Sequence, residues 1–305
     1  MGLLTTGLIT QLKVLYMKEY NKFENEYTRA FDKLVMKESR PQSKIDDVIQ
    51  IRYPAIFESM KEWKQGEQRP GSNNDVYKSS LTIKNWGIDI TIDEDDIKNG
   101  DILKVEQRIV SHAQSEKQHF PKLLMQMIAS GTANTYGTGM GEQVYFLDTH
   151  ALGDSGTIDN LLAIDLSAAN MNTIYAHFAN EKDERGKYLG LIPTVIVCAP
   201  ALRATALGIA KLQKNIVVTD AVNMLYQGEL DVIENPYITD TNAWACFVTG
   251  QPDTAPFVFV EKEAVVAEVD VSKIYGQEKI SYGVKTKGNI GYGDWRLAVY
   301  SAGSS

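Results

Sequence analysis

Residues 86–100, Trp-Gly-Ile-Asp-Ile-Thr-Ile-Asp-Glu-Asp-Asp-Ile-Lys-Asn-Gly, predict a strand that runs directly into a long helix. Apolar side chains alternate at Trp86, Ile88, Ile90 and Ile92, which is the period of a strand with one buried face. The acidic run 93–96 follows, and carboxylates stabilise the N-terminus of a helix. Apolar residues then keep helical spacing as far as residue 131, and Pro121 should kink this helix or split it in two.

A polar excursion precedes this junction. Residues 61–80 are rich in polar side chains, and the turn formers cluster at 70–74. Leu81 and Ile83 then alternate on the opposite parity to Ile88, so we expect a bulge near Asn85. The pattern is that of an extended strand returning from a long loop, which is either mobile or an arm that packs elsewhere.

The N-terminal segment predicts one long amphipathic helix over residues 9–35. Apolar or aromatic side chains recur there at steps of three or four, and neither glycine nor proline interrupts the segment. They are Ile9, Leu12, Tyr16, Tyr20, Phe23, Tyr27, Phe31 and Leu34. Such a helix packs either on its own core or on a neighbouring subunit, and the sequence leaves both open.

The second half of the chain alternates short strands and helices, so the fold class is α+β. A buried strand is predicted at 192–199 and a helix at 201–212. Further strands are predicted at 244–249, 256–260, 265–270 and 279–285, and a glycine-rich turn at 288–293 leads into a last strand at 295–300.

Composition excludes several classes of protein. The 305 residues are enough for one large or two ordinary domains with a sizeable core. With 31 basic against 39 acidic residues the net charge is −8, which argues against sequence-independent capture of nucleic acid. Cys198 and Cys246 lie in apolar runs and are expected to be buried free thiols. No stretch reaches the ~20 apolar residues of a membrane-spanning helix.

The candidate chemical motifs are weak. His112, Glu116 and His119 lie within two helical turns and could converge on a divalent metal, but the same spacing is typical of a solvated helix face. Asp148 and His150 suggest an acid and base pair, although a hydrogen-bonded loop histidine is the simpler interpretation.

The glycines of 137–141 suggest a phosphate-binding loop. A dinucleotide fingerprint requires a preceding strand and a following helix, whereas here a helix precedes, so we expect a flexible connector. The sequence therefore predicts no catalytic residue, no cofactor and no metal.

Several segments, in order along the chain, resemble one family. They are 63–69, 86–100, the segment 141–150 (Gly-Glu-Gln-Val-Tyr-Phe-Leu-Asp-Thr-His), 193–200, 235–236 and Trp244. Together they are similar to the major head (capsid) subunit of Mu-like phages and prophages, a branch of the tailed-phage fold called the HK-ninety-seven type. The resemblance spans most of the chain.

The resemblance implies a division of the chain into five segments. They are an N-terminal arm (1–50), an extension loop (51–95), a peripheral domain with its spine helix (96–150), an axial domain (151–250) and strands that return to the peripheral domain (251–305). An arm and a long loop are costly to order on a monomer, and a lattice of copies would supply their missing partners.

The implied function is structural and not enzymatic: an icosahedral head shell of hexamers and pentamers, assembled in the host cytoplasm and located in the virion. Packaged double-stranded DNA would be enclosed without sequence-specific binding, scaffolding or decoration proteins are possible partners, and no membrane is involved. Inter-subunit contacts are expected at Trp63, Arg69, Tyr16, Phe23 and Phe31. An encapsulin-like compartment shell, or a metal-dependent soluble enzyme, is the alternative.

Overall fold

The computed structural model combines helices with a four-stranded and a five-stranded sheet, as the α+β assignment predicted. It describes residues 2–39, 48–54, 76–93, 102–151, 156–183, 186–211, 230–251, 254–270 and 279–304. The helices of these residues are α1 (Gly2–Lys22), α2 (Glu26–Leu34), α3 (Ile102–Lys117), α4 (His119–Ala129), α5 (Ala168–Asn180) and α6 (Arg203–Lys211).

The described strands fall into two main sheets and two small ones. They are β1 (Val35–Ser39), β2 (Val48–Pro54), β3 (Val76–Thr82), β4 (Lys84–Asp93), β5 (His150–Ala151), β6 (Thr157–Ile158), β7 (Leu161–Leu162), β8 (Val195–Cys198), β9 (Asp231–Glu234), β10 (Trp244–Phe247), β11 (Phe257–Asp270), β12 (Lys279–Tyr292) and β13 (Ala298–Ser301). The four-stranded sheet has the order β1-β11-β12-β4, and the five-stranded sheet has the order β7-β13-β10-β8-β9. β2 pairs with β3 as a separate antiparallel hairpin, and β5 pairs with β6.

The strand that follows the polar excursion changes sheets. β3 pairs with β2, β4 pairs with β12, and Ile83 lies buried between them. The change of parity predicted near Asn85 is therefore the point where the chain passes from the hairpin to the four-stranded sheet. Because the chain changes its pairing partner at this point, the change of parity does not require a β-bulge within one pair of strands.

The long helix divides near Pro121, as predicted. α3 ends at Lys117 and α4 begins at His119. Proline has no N–H to donate to the carbonyl four residues earlier, which is that of Lys117, so the hydrogen-bond ladder lapses at this point.

The N-terminal helix is two helices, which the apolar periodicity did not predict. The side chain of Asn25 accepts a hydrogen bond from the Thr28 N–H, and the Thr28 hydroxyl accepts one from the Asn25 N–H, both at 2.8 Å. This reciprocal capping box starts α2 afresh at Glu26. α2 ends at Leu34 and the chain continues at once into β1.

The prediction of a glycine-rich turn at 288–293 is wrong, because β12 continues without interruption to Tyr292. A β-carbon on Gly288 would lie 2.8 Å from the Val260 carbonyl oxygen, and one on Gly291 would lie 2.9 Å from a methyl carbon of Leu81. These glycines allow neighbouring chain to approach β12 closely. The two strands predicted at 256–260 and 265–270 are likewise one strand, β11, whose register shifts between Glu261 and Val266.

The last strand joins the five-stranded sheet. β13 pairs with β10 and β7, whereas β11 and β12 belong to the four-stranded sheet. The C-terminal segment therefore contributes to both sheets. Trp244 and Trp295 are among the largest fully buried side chains.

Candidate assembly surface

The first helix of the arm lies on its own chain. Leu12 and Tyr16 of α1 are buried against α3 and β12, in a cluster that includes Ile109 and Tyr282. The ammonium group of Lys117 lies 4.6 Å from the centroid of the Tyr20 ring, at the C-terminal end of α1. Burial and the neighbouring Glu116 carboxylate raise the pKa of the Tyr20 hydroxyl to about 12.

The second helix of the arm is held more firmly. Phe31 is buried edge-on against Phe259, with ring centroids 5.6 Å apart, and Leu34 is fully buried. The guanidinium of Arg203 bridges the carboxylates of Glu26 (3.3 Å) and Glu234 (3.0 Å), which joins α2 to β9. Lys33 also forms an ion pair with Asp231 of β9. Since these ionic groups are about half exposed, the buried apolar contacts hold α2 more strongly than the ion pairs do.

Hydrogen bonds anchor the hairpin β2–β3 at both of its ends. The Tyr53 hydroxyl donates to the Tyr292 carbonyl at 3.1 Å, and the Asn289 amide donates to the Thr82 carbonyl at 2.8 Å. Ile49 and Ile51 point into the core. Residues 55–75, which join the two strands, lie outside the described residues, and so therefore do Trp63 and Arg69.

The contact candidates of the arm differ in how deeply they are buried. Tyr16 and Phe31 are buried within their own chain, and Phe23 is half-buried in the connection between α1 and α2. Contact of Tyr16 or Phe31 with a neighbouring subunit therefore requires that their helices leave this position. The contacts expected at Trp63, Arg69, Tyr16, Phe23 and Phe31 stay predictions.

Several other apolar side chains of the described residues are exposed. Those of Val14 and Met17 lie on the outer face of α1, and that of Ile88 lies on β4, an edge strand of its sheet. Tyr188 and Ile192 are about 60% exposed in the chain that joins α5 to β8. The sequence pattern predicted Ile88 on a buried face and Ile192 at the start of a buried strand, and both predictions are wrong because β4 lies at a sheet edge and β8 begins three residues after Ile192. Hydrophobic periodicity carries no signal for Val14, Met17 and Tyr188.

The metal-site hypothesis is not supported by the described residues. The ring of His112 lies between Tyr16 and Tyr282, whereas that of His119 lies beside Trp86 at 4.3 Å between centroids. Burial lowers the pKa of both imidazoles and raises that of the Glu116 carboxyl. The described parts of the chain contain no group of three or more His, Cys, Asp or Glu side chains that could hold a metal ion.

His150 is a buried hydrogen-bonded histidine, as the simpler interpretation predicted. Its ring nitrogens lie 3.1 Å from Gln143 Oε1 and 3.0 Å from Asn160 Oδ1, while Asp148 is exposed. The Asn160 amide also donates to the carbonyls of Tyr145 and Trp295. Asn160 thus joins three segments, a role that the sequence did not reveal.

The glycine-rich connector is packed, which the flexible-connector prediction missed. Gly139 N–H donates to the Gln143 carbonyl at 2.8 Å, and Met140 is buried with its N–H 3.2 Å from the Gly293 carbonyl. A β-carbon on Gly131 would lie 2.5 Å from the Phe146 ring. Glycine is needed at 131 for close packing.

Cys198 and Cys246 are buried free thiols, as predicted. Burial raises the pKa of both, to about 11 for Cys198, so neither is a reactive thiolate at neutral pH. None of the described helices is long and apolar enough to cross a membrane.

Comparison with known proteins identifies the family. A family model described as phage capsid protein matches residues 77–301, well over half of the chain. The chain therefore belongs to the phage capsid protein family, and it is a structural major capsid protein located in the virion. No curated protein is significantly similar to it in sequence.

Solved capsids share its fold at low sequence identity. The capsid of the cyanophage P-SCSP1u is 8% identical with a TM-score of 0.53, over 90% of this chain and 88% of that chain. The capsid of a native GTA particle is 7% identical with a TM-score of 0.52, over 93% and 92%. The head of the Helicobacter pylori bacteriophage KHP40 is 8% identical with a TM-score of 0.50, over 84% and 79%. The predicted HK-ninety-seven-type capsid fold is confirmed.

Proposed function

We propose that copies of this chain assemble, as hexamers and pentamers, into the closed icosahedral head of a Mu-like tailed phage that encloses double-stranded DNA. The observation that carries the proposal is the hairpin β2–β3. Hydrogen bonds fix it at both ends, through Asn289 at Thr82 and through Tyr292 at Tyr53, and the polar segment 55–75 continues from the end at Tyr53. A long polar loop held at its base and rich in turn formers suits contact with an adjacent subunit better than burial in its own core.

The five segments take on separate roles in this proposal. Residues 1–50 form the arm and 51–95 the extension loop, and their strands β1 and β4 also join the four-stranded sheet. Residues 96–150 and 251–305 build the rest of the peripheral domain, and 151–250 build the axial domain. The four-stranded sheet with α3 and α4 supports a peripheral unit, and α5, α6 and the five-stranded sheet support an axial unit. The strand β13 ties the two units together by entering the second sheet.

The net charge of −8 suits a shell that encloses DNA and does not bind it tightly. Scaffolding or decoration proteins are proposed as further partners, and assembly is proposed to occur in the host cytoplasm. We also propose that the chain has no enzymatic activity. Both cysteines, His112 and His150 are buried, His119 and His177 are partly buried, and His150 is held by two amides.

Substitution in the extension loop tests the proposal. Trp63→Ala and Arg69→Ala should each lower the yield of particles by roughly tenfold or more, because anchoring aromatic and Arg side chains dominate interfaces. Lys78→Ala, on the exposed side of β3, is the matched control and should assemble as the unmodified chain does. Particle yield is measured by sedimentation and electron microscopy, and thermal melting checks that the fold is intact. Full assembly of both loop variants would contradict the proposed contact.

The content of the particles separates a phage head from a compartment. Particles formed during head assembly should contain nuclease-protected DNA. Particles that contain instead a fixed protein cargo and no protected DNA would favour the encapsulin-like alternative, which the match to phage capsid proteins makes the weaker one.

A further inference from the structure

A cavity of about 310 Å³ lies between the two arm helices, the break between α3 and α4, and the four-stranded sheet. It forms where three parts of the fold are interrupted together. α1 ends before α2 begins, α3 ends before α4 begins, and the register of β11 on β12 shifts within residues 261–266. Phe31 and Phe259 on one side belong to one hydrophobic cluster, and Tyr20 and Val265 on the other side pack on a second. The cavity therefore lies at the boundary between two cores, where neither cluster fills the space.

Three phenylalanine rings form an apolar wall of this cavity. The ring of Phe259 contacts that of Phe31 edge-on, with centroids 5.6 Å apart, and that of Phe120 at 4.7 Å. Pro121 and Val265 also line the cavity. Ligand pockets in proteins have volumes of roughly 300 to 1,000 Å³ and are mostly apolar, with a few polar groups that orient the ligand. The volume here is at the lower end of that range, so it suits a molecule of the size of a single amino acid.

Two of the charged side chains that line the cavity have no ionic partner. Lys37 and Asp32 form an ion pair with each other, and Glu38 makes an interaction of its own. Lys117 and Glu261 also line the cavity, and neither forms an ion pair within the described part of the chain. One positive and one negative side chain thus border the same cavity without a counter-ion.

These two unpaired charges both lie close to Tyr20. The Lys117 ammonium is 4.6 Å from the centroid of the Tyr20 ring. Burial, and then the carboxylates of Glu116 and Glu261, raise the pKa of the Tyr20 hydroxyl to about 12. Lys117 and Glu261 are therefore near one another without forming an ion pair, and both are half-buried. A partly desolvated charge without a partner is unfavourable, so a ligand that supplies both opposite charges is favoured.

We propose that this cavity binds an α-amino acid with an apolar side chain. The ammonium group of the ligand donates to the Glu261 carboxylate, and the ligand carboxylate accepts from the Lys117 ammonium. Its side chain packs on the rings of Phe120 and Phe259. An α-amino acid carries both charges on one carbon, which suits two neighbouring protein groups of opposite charge. The site goes beyond the proposed shell and does not depend on assembly, because every residue of it belongs to one chain.

Titration calorimetry of the full chain with L-phenylalanine, L-tryptophan and L-leucine tests the chemistry of the ligand. At least one of these amino acids should bind with one molecule per chain. The tightest is then compared with its analogue without the carboxylate and its analogue without the amine, which for L-phenylalanine are phenethylamine and hydrocinnamate. Each analogue should bind roughly tenfold more weakly, because it leaves Lys117 or Glu261 unpaired. Binding of none of the amino acids, or equal binding of either analogue, would overturn the proposal.

Two variants test the residues of the site with the same amino acid. Glu261→Gln and Lys117→Met should each weaken its binding by roughly tenfold or more, because each removes one charge-assisted contact. Glu263→Gln is the matched control, since Glu263 lies on the same strand, pairs with Lys287 and does not line the cavity. This control should bind the amino acid as the unmodified chain does, and thermal melting checks that each variant is folded. Equal weakening in the control, or unchanged binding in both site variants, would overturn the proposed site.

Discussion

The imidazole of His150 lies flat on the indole of Trp295, with ring centroids 3.9 Å apart and planes inclined by 5°. Gln143 and Asn160 hold the two ring nitrogens from opposite sides. The stack therefore fixes the end of the connector between α4 and β5 against the segment that leads into β13. It lies beside the buried pair of Asp294 and Arg296, so one small region joins the two sheets.

The burial of His150 in this stack makes the free energy of unfolding depend on pH. Burial lowers the pKa of His150 from 6.5 to about 4. Between these values the unfolded chain binds a proton at this position and the folded chain does not, so the free energy of unfolding falls as the pH falls. The contribution of His150 should be up to about 3 kcal/mol. Urea unfolding of the unassembled chain at about pH 7 and about pH 4.5 measures it, and His150→Gln should show a smaller loss. An equal loss in both proteins would exclude His150 as the source.

The pair of Asp294 and Arg296 should be a sensitive point. The guanidinium and carboxylate are 2.7 Å apart, and both side chains are almost wholly buried. Arg296→Met would leave the Asp294 carboxylate buried without its counter-ion, at a cost of about 3 to 5 kcal/mol. Lys285→Met removes one partner of an exposed pair with Glu268 and should cost less than about 1 kcal/mol. Denaturant unfolding compares the two, and similar losses would contradict this ranking.

Two glycines should respond oppositely to alanine. Gly288→Ala would place its methyl group 2.8 Å from the Val260 carbonyl oxygen, and forcing these strands apart should cost about 1 to 3 kcal/mol. Gly208 lies in α6 with open space around it, so Gly208→Ala should stabilise the chain by up to about 1 kcal/mol. Thermal melting measures both changes. A stable Gly288→Ala variant would mean that β12 tolerates a wider spacing.

Two truncations should separate the helices of the arm. Removal of residues 1–22 takes away α1 only and should leave a folded chain that no longer assembles. Removal of residues 1–34 also takes away Phe31 and Leu34, and each buried side chain lost should cost about 2 to 5 kcal/mol. Circular dichroism and sedimentation measure folding and assembly. Unfolding of the shorter truncation would show that α1 belongs to the core.

Local sequence patterns predicted helices and strands, whereas contacts between residues distant in the chain determine how the strands pair. The alternation at Trp86–Ile92 and the proline at 121 correctly predicted β4 and the break between α3 and α4. The Asn25-x-x-Thr28 signal was present in the sequence, but continuous apolar spacing across it predicted one helix. A capping box consists of only two side-chain hydrogen bonds, whereas the apolar spacing extends over the whole segment. The sequence pattern therefore favoured one continuous helix.

The glycines of β12 and the partners of His150 were beyond local inference. Gly288 and Gly291 have the composition of a turn, and only the closeness of Val260 and Leu81 explains them as strand residues. Asn160 and Trp295 meet His150 from positions 10 and 145 residues away in the chain. The candidate assembly residues Trp63 and Arg69 were inferred from their residue types and their expected place at an exposed hairpin tip, and they lie outside the described residues.

Electron microscopy of the purified chain expressed alone, over a range of protein and salt concentrations, tests the central claim most directly. A capsid subunit of this fold should form closed shells, tubes or rings of five and six copies. A chain that stays monomeric under every condition, with its extension loop fully protected from protease, would contradict assembly into a shell.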